Sequence, residues 1–331
     1  MSSRRHHYVP QFYLRYFLPG NSGMFWVYDK KGGPARTQTP VNTAVEAHLY
    51  CSGSPETDAH DDLERLFSRL EAVAKPILDH WQSPGVRPEE SEVAEIAQFL
   101  GFMHTRVPGT AETVREVGLA CSLRLLDDLK DSPEELRRLA EEVGAPSAEA
   151  LRVELEAFLK TPEEHLRMKP DRPLALTVAL LCTREVVEQL LNMNWCLCEA
   201  PADGFFVTSD TPLNIFAGGD VAFGTGLASP HVEVAFSISP KICLLLGRRR
   251  TQHRRRVSKA VVTKLNRRTV AAAERFIISP LKTSRLARMV AEFSSSVGMP
   301  RLDPAAVLER YGPRARYGSA TSPLLQKQGR R

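Results

Sequence analysis

Asn194-Trp195-Cys196-Leu197-Cys198-Glu199 is where the chain changes character. Upstream of it, apolar residues recur at helical spacing. From it onward, short runs rich in β-branched and aromatic residues take over: residues 194–199, Gly204 to Thr208, His231 to Ile238 and Ile242 to Gly247, with Ser239-Pro240-Lys241 as a tight link between the last two. A run of strands after a run of helices predicts an α+β fold, mostly helical, with an antiparallel sheet in the C-terminal half.

Working upstream, the apolar positions Leu63, Leu66, Phe67, Leu70, Ala74, Ile77 and Leu78 keep a helical period from Asp61 to Trp81, with Glu64 and Glu71 flanking the stripe and Pro76 expected to kink or restart the helix. Ser91 suits the N-cap of a next helix, whose face Val93, Ile96, Leu100 and Met103 is apolar and whose other face carries Gln98 and Thr105. That helix should stop at Arg106-Val107-Pro108-Gly109, which leaves a guanidinium at a turn. Residues 113–170 read as a charged helical insertion or lid, restarted at Ser132-Pro133 and Ala145-Pro146-Ser147, and Arg172 to Asn192 as a longer apolar helix central to the core. Downstream of the strands, 257–273 and 284–293 look helical and 275–279 extended. A single domain over 1–305 with a loose basic tail over 306–331 is the expected organisation.

Nothing in the 331 residues approaches ~20 consecutive apolar positions, and the start lacks the apolar run of a signal peptide, so a cytoplasmic protein with no membrane partner is expected. The six cysteines (Cys51, Cys121, Cys182, Cys196, Cys198, Cys243) have neither disulfide-scaffold nor zinc-knuckle spacing and read as mostly buried thiols. A net charge of +5 is mild, so partners must be argued from where the charge sits.

The opening, Arg4-Arg5-His6-His7-Tyr8-Val9-Pro10-Gln11-Phe12-Tyr13-Leu14-Arg15-Tyr16-Phe17, gathers titratable and aromatic residues. Val9 before Pro10 favours extended backbone, and Pro10 suits the first turn of a helix on which Phe12, Tyr13, Tyr16 and Phe17 recur at offsets of 3 and 4. Adjacent histidines point different ways, so both serve one metal only on irregular backbone. The plainer reading is a frayed terminus docked by its aromatics.

With this stretch and Phe206-Val207-Thr208-Ser209-Asp210-Thr211-Pro212, the chain resembles a bacterial family known as domain of unknown function 4238. The resemblance implies positions and no reaction. One hypothesis joins His6, His7 and Asp210 as catalytic groups with Arg106, Gln98, Ser209 and Glu71 as substrate-binding ones. Imidazoles and a carboxylate can hold a divalent metal or act as acid and base, and an arginine can clamp a phosphate. The competing reading makes Thr208 to Pro212 a capped turn. A compact ββα nuclease fails on spacing, since only five residues precede His6. No P-loop lysine follows Gly218-Gly219 or Gly224-x-Gly226, and Ser209 lacks a glycine-flanked elbow.

Arg248-Arg249-Arg250-Thr251-Gln252-His253-Arg254-Arg255-Arg256 is the densest positive run. It could neutralise phosphates of a nucleic acid or meet an acidic protein, though no aromatic interleaves it to stack bases, and a solvated loop is the plainer reading. Two functional classes result: an enzyme, a metal-assisted hydrolase of a phosphate-bearing or nucleic-acid substrate working through a His/Asp/Arg pocket, and a non-catalytic binding protein using Arg248, Arg249, Arg250, Arg254, Arg255 and Arg256.

Overall fold

The computed structural model describes residues 5–47, 59–160, 178–217, 227 and 229–294. Its strands are β1 (Arg5–His7), β2 (Phe25–Asp29), β3 (Arg36–Gln38), β4 (Val45–Ala47), β5 (Asn194–Glu199), β6 (Thr208–Ser209), β7 (Leu213–Ala217), β8 (Val232–Ser237), β9 (Ile242–Gly247), β10 (Arg254–Arg256) and β11 (Phe276–Ser279). Its helices are α1 (Gln11–Arg15), α2 (Ala59–Trp81), α3 (Glu90–Thr105), α4 (Pro108–Lys130), α5 (Pro133–Val143), α6 (Ala148–Lys160), α7 (Thr183–Leu191), α8 (Lys259–Ala272) and α9 (Ser284–Glu292). The fold is α+β. His48, the glycine-rich loop over 218–226 and the tail over 306–331 lie outside the described residues.

The C-terminal half builds a five-stranded sheet in the order β10-β5-β9-β8-β7, antiparallel except that β10 runs parallel to β5. A second sheet, β3-β2-β11-β6, is antiparallel throughout and combines the N-terminal hairpin with late strands. The opening strand β1 pairs with β4, which places His6 opposite Glu46. Helix α8 serves both larger sheets. Its Val262 and Leu265 pack with Cys196, Cys198, Ala235 and Cys243 of the five-stranded sheet, and its Val270 and Ala271 pack with Tyr28 and Ile277 of the other.

Two strand expectations change. Residues 204–207 form no strand, and Thr208–Ser209 pairs with β11 instead of joining β5, β8 and β9. The reason is local satisfaction of the backbone. Asn266 of α8 accepts from the Val207 amide at 3.0 Å and donates to the Phe205 carbonyl at 2.8 Å, while the Phe206 amide donates to the Pro240 carbonyl at 2.9 Å. The arginine run, read as a loop, contains β10, which covers the edge of β5 through bonds such as Leu197 amide to His253 carbonyl at 2.8 Å.

Helix boundaries shift for equally local reasons. Glu89, not Ser91, caps α3, because Glu89 and Glu92 form a reciprocal capping box. Helix α2 continues through Pro76, held by buried Ala74, Leu78 and Trp81 on its inner face. The helix expected over 172–192 is described only from residue 178, and α7 buries just Thr183 and Leu190. It packs on α3 at Gly101, where a Cβ would meet the Val187 side chain at 2.7 Å.

The chain divides into two compact units, residues 1–112 with 172–301 and residues 113–171 with 302–331. In the second, α5 and α6 close on each other through Leu136, Ala140 and Leu151. Everything described below lies in the first.

Candidate functional site

The opening stretch is fastened at Tyr13. This side chain is wholly buried, its ring stacks on Phe236 at 5.0 Å, and its hydroxyl donates to the Ser237 carbonyl at 2.7 Å. With its one proton so placed, it accepts from the Thr208 hydroxyl at 2.6 Å. Because Ser237 belongs to β8 and Thr208 to β6, one phenol bridges the two larger sheets; burying such a ring contributes roughly 1.5–3 kcal/mol. The start of the chain is therefore anchored from Pro10 onward.

His7 is turned to local work. Its Nε2 donates to the Val41 carbonyl at 3.0 Å and its Nδ1 accepts from Gln11 at 3.4 Å, a pairing that specifies the Nε2–H tautomer and engages both ring nitrogens. His6 is buried on β1 beside Glu46 of β4. Tyr8 makes the junction. Its carbonyl accepts from Arg106 Nε at 3.0 Å, and its phenol is pushed well above the usual range by burial and then by the charges of Asp210, Glu274 and Glu46.

Arg106 caps the end of α3 and is 3% exposed. Besides Tyr8 it holds Glu71 through Nη1 at 3.2 Å and lies over the Phe67 ring at 4.9 Å, while Nη2 has no hydrogen-bond partner among the described residues. Three residues on, Gly109 of α4 approaches so closely that a Cβ there would overlap the Glu274 carboxylate. A larger residue there would have to displace the end of the Glu274 side chain.

Asp210 is buried, and its carboxylate accepts from three successive amides: Glu274 at 3.0 Å, Arg275 at 2.8 Å and Phe276 at 2.9 Å. Burial pushes its pKa up to about 6, against the pull of those amides and of Lys30. Ser209 is likewise turned inward, its hydroxyl donating to the Thr211 carbonyl at 2.9 Å and accepting from the Thr211 amide at 3.1 Å. Gln98 stands exposed on α3, two turns or about 12 Å along the helix from Arg106. Arg106 thus joins Tyr8 to Glu71, the Asp210 charge acts on the Tyr8 phenol, and Gln98 stands apart on the exposed face of α3. Among the described residues no group of three or more His, Cys, Asp or Glu side chains is placed to hold a metal.

The arginine run splits into two populations. The Arg254 side chain is 9% exposed and bonds Glu199 at 2.5 Å and the carbonyls of Trp81 and Val86 at 2.9 Å each. Arg248 donates to the carbonyls of Asn192 and Leu227 and to Gln189. Arg249, Arg250, Arg255 and Arg256 are exposed. Arg249 and Arg255 line a cleft of about 360 Å³ with Lys264 and Arg268, which stand one turn apart on α8. Arg268 is buried, lies over Phe216 at 4.8 Å and donates to Glu233 at 2.6 Å. At the same place the Cys196 thiol is lowered to about 7 by its neighbour Cys198, 4.0 Å away, and by Arg255 and Thr251, with burial opposing.

Tyr8, Lys30, Glu274, Lys264 and Glu233 were invisible to sequence reasoning as site residues. Lys30 and Lys31 are adjacent in a turn-like run, yet Lys30 is 2% exposed and Lys31 is exposed. Only Lys264 and Arg268 carried a signal, their i,i+4 spacing on a helix that follows the run.

A family model described as Protein of unknown function (DUF4238) matches residues 5–283. No curated protein and no solved structure matches the chain.

Proposed function

The chain belongs to that family, whose description names no activity, and we propose from the geometry that the protein works by binding a phosphate-bearing ligand in the cleft beside the arginine run. The carrying observation is that five cationic residues from two separate segments, Arg248, Arg249 and Arg255 from the arginine run and Lys264 and Arg268 from α8, line a single concavity of about 360 Å³. Glu233 meets Arg268, and the positive charge left over in the cleft favours an anionic visitor, with guanidinium groups that match phosphate geometry. The test is a titration with inorganic pyrophosphate and with a short oligonucleotide at several salt concentrations. Binding that weakens with salt and falls at least about tenfold in Arg249→Ser with Arg255→Ser is expected. Absence of binding by any phosphate-bearing probe, or binding indifferent to the double substitution, overturns the reading.

A hydrolase working through the opening stretch is the second reading, favoured by one observation: Tyr8 touches Arg106 through its carbonyl and feels Asp210 through its phenol. It asks Asp210 to act on a substrate while that carboxylate is held by three amides. Hydrolysis of a phosphate ester that survives Asp210→Asn in a folded variant would remove it.

A further inference from the structure

Resting on the phosphate-binding reading, we infer that the cleft takes a small phosphorylated molecule with hydroxyl groups, of the sugar-phosphate class, and not a nucleic-acid strand. The arrangement of the run argues first against a polymer. A strand of nucleic acid needs a continuous cationic track, yet Arg254 is buried against Glu199 and Arg248 is fastened to Asn192, Leu227 and Gln189. Arg255 and Arg256 are neighbours on β10 and therefore point to opposite sides of the strand; Arg255 lines the cleft and Arg256, with a side chain 91% exposed, does not. The exposed cations of the run are interrupted from Thr251 to Arg254. Among the described residues no Phe, Tyr or Trp lines the cleft to stack a base, which single-strand binders use.

The cleft itself argues for the small ligand. About 360 Å³ falls at the lower end of the range for small-molecule sites. Of the apolar residues that border it, Leu245 shares the sheet face of Glu233 and offers its side chain to an uncharged part of the ligand, while Val232 and Leu246 alternate to the other face. Beside the cations stands Glu233, whose Oε2 accepts from Arg268. A carboxylate has further acceptor positions and repels a bare phosphate, so its place in an anion site fits a ligand that brings hydroxyl donors next to the phosphate. The phosphate is assigned to Arg249, Arg255 and Lys264, and the hydroxyl-bearing part to Glu233.

Calorimetric titration of the full chain with ribose 5-phosphate, inorganic pyrophosphate and a 20-nucleotide single strand tests this. Ribose 5-phosphate is expected to bind one to one, and Arg255→Ser to weaken it at least about tenfold. Glu233→Gln, which keeps an acceptor for Arg268, is expected to cost ribose 5-phosphate affinity while leaving pyrophosphate as tight or tighter. Binding of the oligonucleotide with none of ribose 5-phosphate overturns the inference and leaves the phosphate-binding reading standing. Equal losses for ribose 5-phosphate and pyrophosphate in Glu233→Gln also overturn it. No binding of any of the three overturns both.

Discussion

Lys30 and Asp210 grip the same turn from opposite electrical poles. At the end of α8 the Lys30 ammonium donates to the carbonyls of Ala271 at 3.2 Å and Ala273 at 2.8 Å, where the helix is electronegative. The next three amides, of Glu274, Arg275 and Phe276, donate to Asp210. Two carbonyls and three amides at the end of α8 are matched in this way, just where β11 begins. Asp210→Asn sets an NH₂ group against amide donors and is expected to cost about 1–3 kcal/mol in urea unfolding. Lys30→Met should cost a similar amount, and the double variant less than the sum, since both changes loosen one turn. Strict additivity would show that the two side chains act on separate structures.

The same lysine gives a pH dependence. Burial holds Lys30 at about 8 against its ordinary 10.5, with Asp210 opposing. Below pH 8 both folded and unfolded chains keep the proton and the cost of burial is constant. Between the two values the unfolded chain still holds a proton that the native protein has released, so stability rises with pH. The rise is at most roughly 3 kcal/mol at 1.36 kcal/mol per unit. A neutral amine still donates to both carbonyls, so the turn survives. The difference in unfolding free energy between the parent and Lys30→Met, followed from pH 8 to 10.5, checks this; a flat difference would contradict it.

How much of this was legible in the sequence depended on whether the deciding force was local. Local pattern located α2, α3, α8 and α9 and the strands β5, β8 and β9, because each carries its own apolar residues. Sheet membership was not legible: β11 pairs with β2 of the N-terminal hairpin from the far end of the chain and β6 joins through β11, and nothing in Thr208-Ser209 announces it. In the site, Arg106 reaches the carbonyl of Tyr8, a residue the aromatic periodicity of the opening helix did not include. Arg254 and Arg250 are indistinguishable within a run of arginines. Only the strand pairing of β10 decides that one turns inward to Glu199 and the other faces water.

Arg106 ties the opening stretch to α2 and α3. It is buried, and its planar fork serves Tyr8 and Glu71 at once while stacking on Phe67. A lysine ammonium is a point donor and cannot hold both partners and the ring. Arg106→Lys is expected to cost about 1.5–3 kcal/mol and to speed amide hydrogen exchange at residues 8–17. Exchange there unchanged in a destabilised variant would mean that Tyr13 alone anchors the terminus.

Arg254 and Arg250 offer the sharpest contrast within the run. Arg254 joins the end of α2 and the segment before α3 to β5, through the carbonyls of Trp81 and Val86 and the carboxylate of Glu199. Serine in its place leaves both carbonyls without that donor. Glu199, 24% exposed, keeps some solvent and the more distant Arg256 at 3.5 Å, so the loss is expected at about 2–3 kcal/mol, short of a fully buried pair. Arg250 is exposed, and Arg250→Ser should stay within about 0.5 kcal/mol. Urea unfolding of the two variants side by side makes the comparison. Equal stability would show that the whole run is surface charge, and that β10 is held by its backbone pairing with β5 alone.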